Sequence, residues 1–370
     1  MKILIVGTLP ESLVNFRGKL IIELISKRHN VIAISDKPKC STIKLIEEYG
    51  AKHISINFSR TSINPLKNIQ TFFSLIKIFN SERPDSILAY TSKPVIWSGF
   101  ACIFFPKIRF VPLITGLGYA FGGKGFFRKL IQFFSAALYK HSLKQASKII
   151  FQNSQNREYF IKKRIVSRSK SIVINGSGVD LDFYKYDRHN ENIKNLSFLM
   201  ISRLLKDKGV IEYFEAAKIV KSKYPQTMFL FVGGIDPSPN RISQKEIDKY
   251  KDLNIVEFKG HLKDVRTALK ESSVFVLPSY HEGMSRSIQE ALATGRPIIT
   301  TNVPGCREGV KFGKNGFLIN KGSYDQLAAK MIWFIENPEL ILNMGAESRK
   351  IAEQLFDVNK INKQIIDILI

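Results

Sequence analysis

Short apolar runs recur along the first half of the chain, and each is followed by a longer segment whose apolar residues repeat at helical spacing. Runs of this length, rich in β-branched residues and bounded by turn residues, predict buried strands. Strands that alternate with helices indicate a doubly wound α/β fold with a parallel sheet. The strands predicted in this half are Ile3–Val6, Val31–Ser35, Ile54–Ile56, Ser86–Ala89, Phe110–Ile114, Lys148–Phe151 and Ser171–Ile174.

The second half repeats this rhythm after a polar stretch at 188–195. We therefore predict two such domains, over 1–180 and 196–345, joined by a hinge at 181–195 and followed by a helical segment at 346–370. Two sheets joined by a hinge form a cleft, which is where ligands usually bind. The strands predicted here are Ser197–Ile201, Met228–Val232, Ile255–Phe258, Val274–Leu277, Pro297–Thr300 and Phe317–Ile319.

Length and composition narrow the class of protein. A chain of 370 residues with 44% apolar residues fits two well-packed globular domains. Cys40, Cys102 and Cys306 form no CxxC pair, so we expect a reducing compartment and no structural zinc. The opening MKILIVGTLP is interpreted as a strand and not as a signal peptide. No apolar run reaches the roughly 18 residues of a membrane span, so we expect a cytoplasmic protein.

The net charge of +24 is concentrated in the first half of the chain. Residues 1–180 contain 28 Lys and Arg against 9 Asp and Glu, or +19, and residues 181–370 contain 28 against 23, or +5. No acidic residue lies between Asp85 and Glu158. Such a basic domain is typical of a nucleic-acid binder or of a protein that rests on an anionic membrane.

The segment Lys124–Lys148 combines this charge with aromatic residues. Its apolar positions 127, 130, 131, 134 and 138 recur at helical spacing, which predicts that this stripe packs on the first sheet. Phe126 and Phe133 lie seven residues apart on another face. A basic helix with such spare aromatic residues suits the interface of an anionic bilayer. The residues expected at the membrane are Phe126, Arg128, Lys129, Phe133 and Lys140.

Three loops should meet at the carboxyl ends of the first sheet's strands, where α/β proteins bind ligands. They are Gly7–Gly18, Tyr90–Pro94 and Thr115–Gly125. The last, TGLGYAFGGKG, has five glycines in eleven residues, which permits close approach of the backbone to a ligand. Neither it nor GTLPESLVNFRG completes a dinucleotide fingerprint, so a Rossmann oxidoreductase is disfavoured.

The stretch Phe275–Glu308 carries most of the predicted chemistry. A buried strand ends at Pro278, and a helix starts near Ser285, so the amides of Gly283, Met284 and Ser285 are expected to form an anion site. Glu282 precedes this helix, and Glu290 lies about 12 Å further along it. Two carboxylates so spaced can hold the two ends of an elongated polyhydroxy ligand by accepting hydrogen bonds from its hydroxyls.

A second anion site is predicted after the first strand of the second domain, in SRLLKDKG. Arg203 follows the strand, and Lys208 stands where the next helix begins. A guanidinium, an ammonium and a helix N-terminus therefore converge on one anion-sized volume. These groups lie at the carboxyl edge of the second sheet, which is also the edge predicted to carry Glu282.

These motifs resemble a known family. Glu282-Gly283-Met284 through Glu290-Ala291, then Ala293-Thr294-Gly295-Arg296-Pro297, is similar to the signature EGxP or EGxS followed by E-A-x-A-x-G-x-P of the retaining glycosyltransferases of family 4, which have the GT-B fold. The chain has Met284-Ser285 where Phe or Leu followed by Pro or Gly is commoner in the family.

The resemblance implies roles for the site residues. Glu282 would contact the hydroxyls of the donor sugar, Glu290 the ribose, and the amides after Glu282 the sugar and phosphates. Arg203 and Lys208 would bind the donor diphosphate in place of a metal ion, so no cofactor is expected. Gly233 and Gly260 would lie near the nucleotide base, and the segment 346–370 would cross back to the first domain.

The motifs VNFRGKLIIEL, TGLGYAF, VGGIDPSPN and VPGCRE are similar to those of bacterial transferases that add N-acetylgalactosamine or related sugars to undecaprenyl-diphosphate-linked saccharides. This implies retaining transfer from a UDP-sugar, without a side-chain nucleophile, in the assembly of surface polysaccharides such as capsule or O-antigen. The expected place of work is the inner face of the cytoplasmic membrane.

Two features depart from this pattern or imitate another one. Most family members have a His at the end of the fourth strand, where this chain has Tyr90-Thr91-Ser92-Lys93, so Lys93 is the candidate on the acceptor side. The other acceptor-side candidates are Arg17, Gly116 and Gly118. Asp180-Leu181-Asp182 imitates the DxD metal motif of another class of transferase, but it lies at the hinge and is interpreted as structural.

Two other functions remain open at this point. A GT-B sugar-nucleotide epimerase would share both sheets but would need acid and base side chains in the cleft. A nucleic-acid binder would use the basic domain and should bind arbitrary DNA or RNA with steep salt dependence. Neither function explains Arg203, Lys208, Glu282 and Glu290 together.

Overall fold

The computed structural model describes residues 1–58, 65–116, 126–188, 196–236, 238 and 240–370, without the side chains of 65–67, 126–128 and 252. The chain forms two compact units. The N-terminal unit contains Met1–Gly178 together with Val358–Ile370, and the C-terminal unit contains Val179–Asp357.

The N-terminal unit is built on a parallel sheet of seven described strands in the order β3-β2-β1-β4-β5-β6-β7. Strand β1 lies inside the sheet and pairs with two neighbours, so that Leu4 stands opposite Ile32 on one side and Ile87 on the other. All three side chains are buried, as expected for a sheet covered by helices on both faces. The strands are β1 (Lys2–Val6), β2 (Asn30–Ser35), β3 (Lys52–Ser55), β4 (Ser86–Tyr90), β5 (Arg109–Ile114), β6 (Ile149–Phe151) and β7 (Ser171–Val173).

Helices connect successive strands of this sheet, as in other doubly wound folds. Their described bounds are α1 (Pro10–Ser26), α2 (Cys40–Glu48), α3 (Pro65–Glu82), α4 (Ser92–Cys102), α5 (Phe126–Ser142) and α6 (Ser154–Lys162). Helix α6 is capped by Asn153, whose side chain accepts a hydrogen bond from the amide of Asn156.

The C-terminal unit repeats the arrangement with six described strands in the order β10-β9-β8-β11-β12-β13. They are β8 (Ser197–Ile201), β9 (Met228–Val232), β10 (Glu257–Phe258), β11 (Val274–Leu277), β12 (Ile298–Thr301) and β13 (Gly316–Ile319). The helices are α7 (Val210–Lys223), α8 (Gln244–Asp252), α9 (Arg266–Glu271), α10 (Arg286–Thr294), α11 (Tyr324–Glu336) and α12 (Leu340–Ile351), with short 3-10 turns at Lys206–Lys208 and Arg307–Gly309 and a π-helical turn at Ala352–Phe356. These two sheets confirm the predicted fold class.

Each sheet has one point where the strand order reverses. In the N-terminal unit it lies between β1 and β4, and in the C-terminal unit between β8 and β11. The connections from these strands leave in opposite directions, which opens a crevice outside their carboxyl ends. A ligand site is therefore expected in the loops that follow these four strands.

The last helix, α13 (Val358–Leu369), belongs to the N-terminal unit. Its buried Ile361, Ile365 and Leu369 join the hydrophobic core that covers one face of the N-terminal sheet. The return to this unit was expected from residue 346, whereas helix α12 and the π-helical turn that follows it lie in the C-terminal unit.

The predicted buried stripe on helix α5 is wrong. Leu130, Ile131, Phe134 and Leu138 are all exposed, and the buried residues near the end of the helix are Tyr139 and Ser142. Helix α5 packs against α4 and touches the core with its last turns, while these four apolar side chains of its other turns are exposed. Position 127 has no described side chain.

Among the residues expected at the membrane, Phe133 is 69% exposed. Lys129 and Lys140 are exposed as well. The side chains of Phe126 and Arg128 lie outside the described part of the structure. No helix within the described residues is long and apolar enough to cross a bilayer.

Candidate active site

Two loops meet at the reversal point of the C-terminal sheet. One follows β8 and contains the 3-10 turn Lys206–Lys208, and the other follows β11. The carbonyl oxygen of Asp207 accepts a hydrogen bond from the Tyr280 amide at 2.8 Å and from the Ser279 hydroxyl at 3.2 Å. These bonds hold the two loops together at the edge where a ligand is expected.

Gly209 allows the loops to come this close. Its φ of 73° is in the left-handed region, which favours glycine, and it ends the 3-10 turn and begins α7. A Cβ at this position would lie 2.1 Å from the carbonyl oxygen of Pro278, which follows β11. Any other residue would push the two loops apart, and the preceding Lys208 with them.

Lys208 and Glu282 form an ion pair as a result. Lys208 Nζ donates to Glu282 Oε1 at 2.6 Å, and the two side chains are 15% and 16% exposed. Partial burial strengthens their attraction relative to an ion pair in water. Two residues predicted separately, from motifs 74 positions apart, are thus brought into contact at the reversal point.

Arg203 pairs with a residue that the sequence analysis missed. Its Nη1 donates to Asp236 Oδ2 at 2.5 Å. Asp236 is only 6% exposed, and its Oδ1 accepts from the Ser238 amide at 2.8 Å, whereas the Arg203 side chain is 51% exposed. The fixed carboxylate therefore orients a guanidinium that remains accessible. In the sequence, Asp236 stands just after a strand end and two glycines, in VGGID, and this position could have indicated its role.

The segment after β12 supports the Glu282 loop through backbone hydrogen bonds. The Glu282 amide donates to the Pro304 carbonyl at 3.2 Å, and the Ser285 amide donates to the Gly305 carbonyl at 2.8 Å. Gly305 has a φ of +80°, and a Cβ there would lie 2.5 Å from the Glu282 carbonyl oxygen. The motif VPGCRE thus supports the backbone of the Glu282 loop rather than contacting a ligand.

This support corrects one prediction about the amides. The Ser285 amide is already bonded to Gly305, so it is not available to an anion. The Ser285 hydroxyl accepts from the Ile288 amide at 3.4 Å and caps α10. Within the described residues the Met284 amide has no hydrogen-bond acceptor, and the Met284 side chain packs against the core of this unit. An apolar anchor at 284 is therefore what the loop requires, and Met supplies it.

Glu290 lies on α10, where two groups hold its carboxylate. Arg286 Nε donates to Glu290 Oε1 at 2.9 Å, and the Tyr184 hydroxyl hydrogen-bonds the same side chain. Burial, followed by the negative charge of Glu290, raises the pKa of Tyr184 well above its ordinary value. The hydroxyl therefore stays protonated and acts as a donor. Tyr184 was not predicted as part of the site.

Tyr280 ties the loop after β11 to helix α7. Its hydroxyl donates to Glu212 Oε1 at 2.5 Å, and Glu212 lies in the first turn of α7. The hydrogen bond to this carboxylate, together with burial, raises the pKa of Tyr280 to about 12. His281 is exposed, with Nε2 3.7 Å from Asp207 Oδ2.

Gly233 and Gly260 close the neighbouring strand ends. The Gly233 amide donates to the Gly260 carbonyl at 2.8 Å, which links the loops after β9 and β10. Both glycines lie at the same sheet edge as Arg203, because all the strands are parallel.

At the reversal point of the N-terminal sheet the groups are different. The Thr8 and Thr91 hydroxyls share a hydrogen bond of 2.8 Å across the ends of β1 and β4, and Thr91 has a φ of 67°. Lys93 Nζ donates to the Phe58 carbonyl at 3.1 Å, and Asp36 Oδ1 accepts from the Phe58 amide at 2.6 Å. Burial lowers the pKa of Lys93, and the charge of Asp36 opposes that shift.

The other acceptor-side candidates have different positions. Arg17 is 1% exposed and its guanidinium lies 5.1 Å from the centre of the Tyr90 ring, which argues against direct contact with a ligand. The Tyr90 hydroxyl shares a hydrogen bond of 2.8 Å with Ser12. Gly116 follows β5 and is half-buried, and Gly118 lies outside the described residues.

Within the described residues no three His, Cys, Asp or Glu side chains form a group that could hold a metal ion. Asp180 Oδ1 accepts from the amides of Asp182 and Phe183 at 3.1 and 3.2 Å. This carboxylate therefore closes a turn on its own backbone.

Two tandem parallel sheets of this order, the second carrying cations and carboxylates at its reversal point, are characteristic of the GT-B fold. The chain belongs to the glycosyltransferase family: residues 185–351 match the model "Glycosyl transferases group 1", and residues 2–153 match "Glycosyl transferase 4-like".

Several known proteins are similar over nearly the whole chain. One is the N,N'-diacetylbacillosaminyl-diphospho-undecaprenol alpha-1,3-N-acetylgalactosaminyltransferase of Campylobacter jejuni, 29% identical over 96% of this chain and 94% of the relative. Another is the UDP-Gal:alpha-D-GlcNAc-diphosphoundecaprenol alpha-1,3-galactosyltransferase of Escherichia coli, 26% identical over 82% and 79%. The crystal structure of Anabaena HepE in complex with UDP has a TM-score of 0.78 at 19% identity, covering 99% of both chains.

Proposed function

We propose that this protein is a retaining glycosyltransferase of family 4 that moves a sugar, N-acetylgalactosamine or a related hexose, from a UDP-sugar to a polyprenyl-diphosphate-linked saccharide. The observation that carries this proposal is the Lys208–Glu282 contact of 2.6 Å at the reversal point of the C-terminal sheet. It sets a cation suited to a diphosphate beside a carboxylate suited to sugar hydroxyls. The similar transferases from C. jejuni and E. coli, named for diphospho-undecaprenol substrates, support this class of acceptor.

The leaving diphosphate is stabilised by Lys208 and Arg203. An ammonium has three donors, so Lys208 keeps its bond to Glu282 and still donates to a phosphate oxygen. The accessible guanidinium of Arg203, oriented by Asp236, adds a second cation. Negative charge grows on the diphosphate as the glycosidic bond breaks, so these contacts strengthen in the transition state. No metal ion is needed for this neutralisation.

No side chain acts as the nucleophile in this proposal. Glu282 is engaged by Lys208, which makes it a weak nucleophile and a good acceptor of hydrogen bonds from the donor sugar. An oxygen of the departing diphosphate takes the proton from the incoming hydroxyl, which attacks on the same face and thereby retains the configuration.

Glu290 binds the ribose hydroxyls in this scheme. Its carboxylate is held by Arg286 and Tyr184, so its remaining lone pairs keep a fixed direction. The linked strand ends at Gly233 and Gly260 give the base a backbone surface at the same edge.

The acceptor binds on the N-terminal unit, near Lys93 and the Thr8–Thr91 pair at the reversal point of that sheet. Because such an acceptor is anchored in lipid, the enzyme works peripherally on the inner face of the cytoplasmic membrane, in the assembly of a bacterial surface polysaccharide.

Turnover of a panel of UDP- and GDP-sugars with a polyprenyl-diphosphate saccharide tests this function. We expect one UDP-sugar to give a product whose anomeric configuration, read by NMR, is that of the donor. An inverted product would contradict the mechanism. Isomerisation of a UDP-sugar without acceptor would indicate an epimerase instead.

A further inference from the structure

Three consecutive helices of the N-terminal unit leave large apolar side chains in solvent. They belong to α3, to the end of α4 with its following turn, and to α5, and they are between 43% and 69% exposed. We call this the aromatic face and define it by Phe73, Ile103, Phe104, Leu130, Phe133 and Phe134.

The three helices are neighbours in one layer and pack on the same hydrophobic core. Helix α4 packs against both α3 and α5. The Phe72 ring lies 5.4 Å from Phe73 and 6.2 Å from Phe104, which joins α3 to the turn after α4. The rings of Phe133 and Phe134 are 5.8 Å apart on α5. Exposed apolar groups concentrated in this way on one side of a soluble fold indicate a binding surface.

The charge around the aromatic face indicates what covers it. Lys77, Lys107, Lys129, Lys140 and Lys144, on or next to the same helices, are all exposed. The sequence from residue 86 to 157 contains no Asp or Glu, so nothing acidic on α4 or α5 offsets them. A partner must therefore accept apolar side chains at its surface and carry negative charge.

We propose that the aromatic face docks on an anionic lipid bilayer, with Phe73, Phe104 and Phe134 entering the interface and the lysines at the headgroups. A nucleic acid would satisfy the charge but not Ile103 and Leu130, which offer no stacking surface. The inference extends the contact from α5 alone to three helices. It rests on the proposed function only for its purpose, which is to bring the acceptor's lipid anchor to the enzyme.

Flotation with liposomes, in the absence of donor and acceptor, tests the proposal. Vesicles of phosphatidylglycerol and phosphatidylcholine are compared with vesicles of phosphatidylcholine alone. The apolar variant is Phe104→Ser with Phe134→Ser, and its matched control is Phe312→Ser with Leu253→Ser, which removes apolar groups of similar exposure from the C-terminal unit.

The charge variant is Lys107→Glu with Lys129→Glu. Its control, Lys223→Glu with Lys251→Glu, makes the same change in net charge with exposed lysines of the C-terminal unit. Each lysine lost from the face should lower the partition coefficient about fivefold. Both face variants should therefore float poorly, while both controls float as the wild type does.

Equal loss in the face variants and their controls would overturn the proposal, as would wild-type protein that ignores anionic vesicles. Association of the wild type into dimers that the Phe104→Ser, Phe134→Ser protein does not form, with no vesicle binding, would assign the face to a second copy of the chain. Transfer to a detergent-dispersed acceptor should be unchanged in all four variants. A protein that floats as expected but shows no transfer would refute the proposed function and leave the docking surface in place.

Discussion

The two sheets of this protein have the same kind of reversal point but carry different chemistry there. In the C-terminal unit the loops meet through a charged contact, Lys208 with Glu282 at 2.6 Å. In the N-terminal unit the corresponding loops meet through a neutral contact, Thr8 with Thr91 at 2.8 Å. The formal charge runs the other way, since residues 1–180 carry +19 and residues 181–370 carry +5.

This difference separates two kinds of recognition. The C-terminal unit fixes its charges in short ion pairs at the sheet edge, which suits a donor with a diphosphate at one set place. The N-terminal unit joins its loops through neutral hydroxyls, with the charged Lys93 and Asp36 close by, and carries further positive charge on the helices of the aromatic face. We therefore expect the chemical step to depend on the paired charges of the C-terminal unit, and the positioning of the acceptor to depend on the N-terminal unit.

The largest effect is expected for Lys208→Ala, which removes one of the two cations proposed to stabilise the leaving diphosphate. Losing one such preorganised donor should lower kcat about 100-fold. Steady-state kinetics at saturating donor measures this, with the melting temperature as a check on folding.

Lys206→Ala is the matched control for that change. Lys206 lies in the same 3-10 turn but is exposed and pairs loosely with Glu246 at 3.7 Å. Its kcat should stay within about twofold of wild type, because exposed ion pairs contribute little. Similar losses in both variants would mean that the turn itself, and not the Lys208 ammonium, matters.

Arg203→Ala should lower turnover about tenfold or more, because an accessible charge-assisted donor is lost. Asp236→Asn should produce a smaller loss in the same direction, since it removes the carboxylate that orients the guanidinium. The measurement is kcat for both variants, and Arg241→Ala, which changes an exposed arginine of the same unit, is the control. Full activity in folded Arg203→Ala would refute the diphosphate site.

The fold was predictable because strands buried on both faces leave unbroken apolar runs in the sequence. All thirteen predicted strands have counterparts, and β8, β9 and β11 have the bounds expected. The passage to the C-terminal unit, expected after residue 180, occurs at Val179, whereas the return, expected from residue 346, occurs after Asp357, inside a segment whose local pattern simply continues.

The candidate site was predictable only as far as each residue follows a strand. Lys208 and Glu282 could be placed at one sheet edge, but their contact depends on Gly209 and on the register of β8 against β11. Helix α5 shows where prediction from the sequence fails. Its apolar stripe indicated burial, yet only its last turns reach the core, which no spacing within the helix could reveal.

Lys93→Met tests the N-terminal unit. Removing this ammonium from the reversal point should raise the KM for acceptor about fivefold and leave the KM for donor unchanged, because the proposed donor site lies in the other unit. Initial rates at varied acceptor and fixed saturating donor measure it. A change in donor KM alone would reverse the assignment of the two units.

Tyr184→Phe should have a smaller effect, on donor affinity. It removes the hydroxyl that holds Glu290, so the donor KM should rise only about threefold while kcat changes little, because Arg286 still holds the carboxylate. Tyr224→Phe is the control, because Tyr224 also donates to a carboxylate, Glu336, but at an exposed site. A kcat loss without a KM change would mean that Tyr184 supports the reaction step and not the ribose contact.

The smallest effect is expected for removal of metal ions. In the proposed mechanism Lys208 and Arg203 supply the positive charge that a divalent ion gives in other transferases, so EDTA should leave the initial rate unchanged. The DxD-like pair provides a second readout. Asp180→Asn should lower the melting temperature, because Asp180 Oδ1 closes a turn by accepting hydrogen bonds from two backbone amides. The variant should remain as insensitive to EDTA as the wild type. A rate that falls in EDTA and returns with one divalent ion would show that the paired charges of the C-terminal unit are not sufficient to stabilise the leaving group.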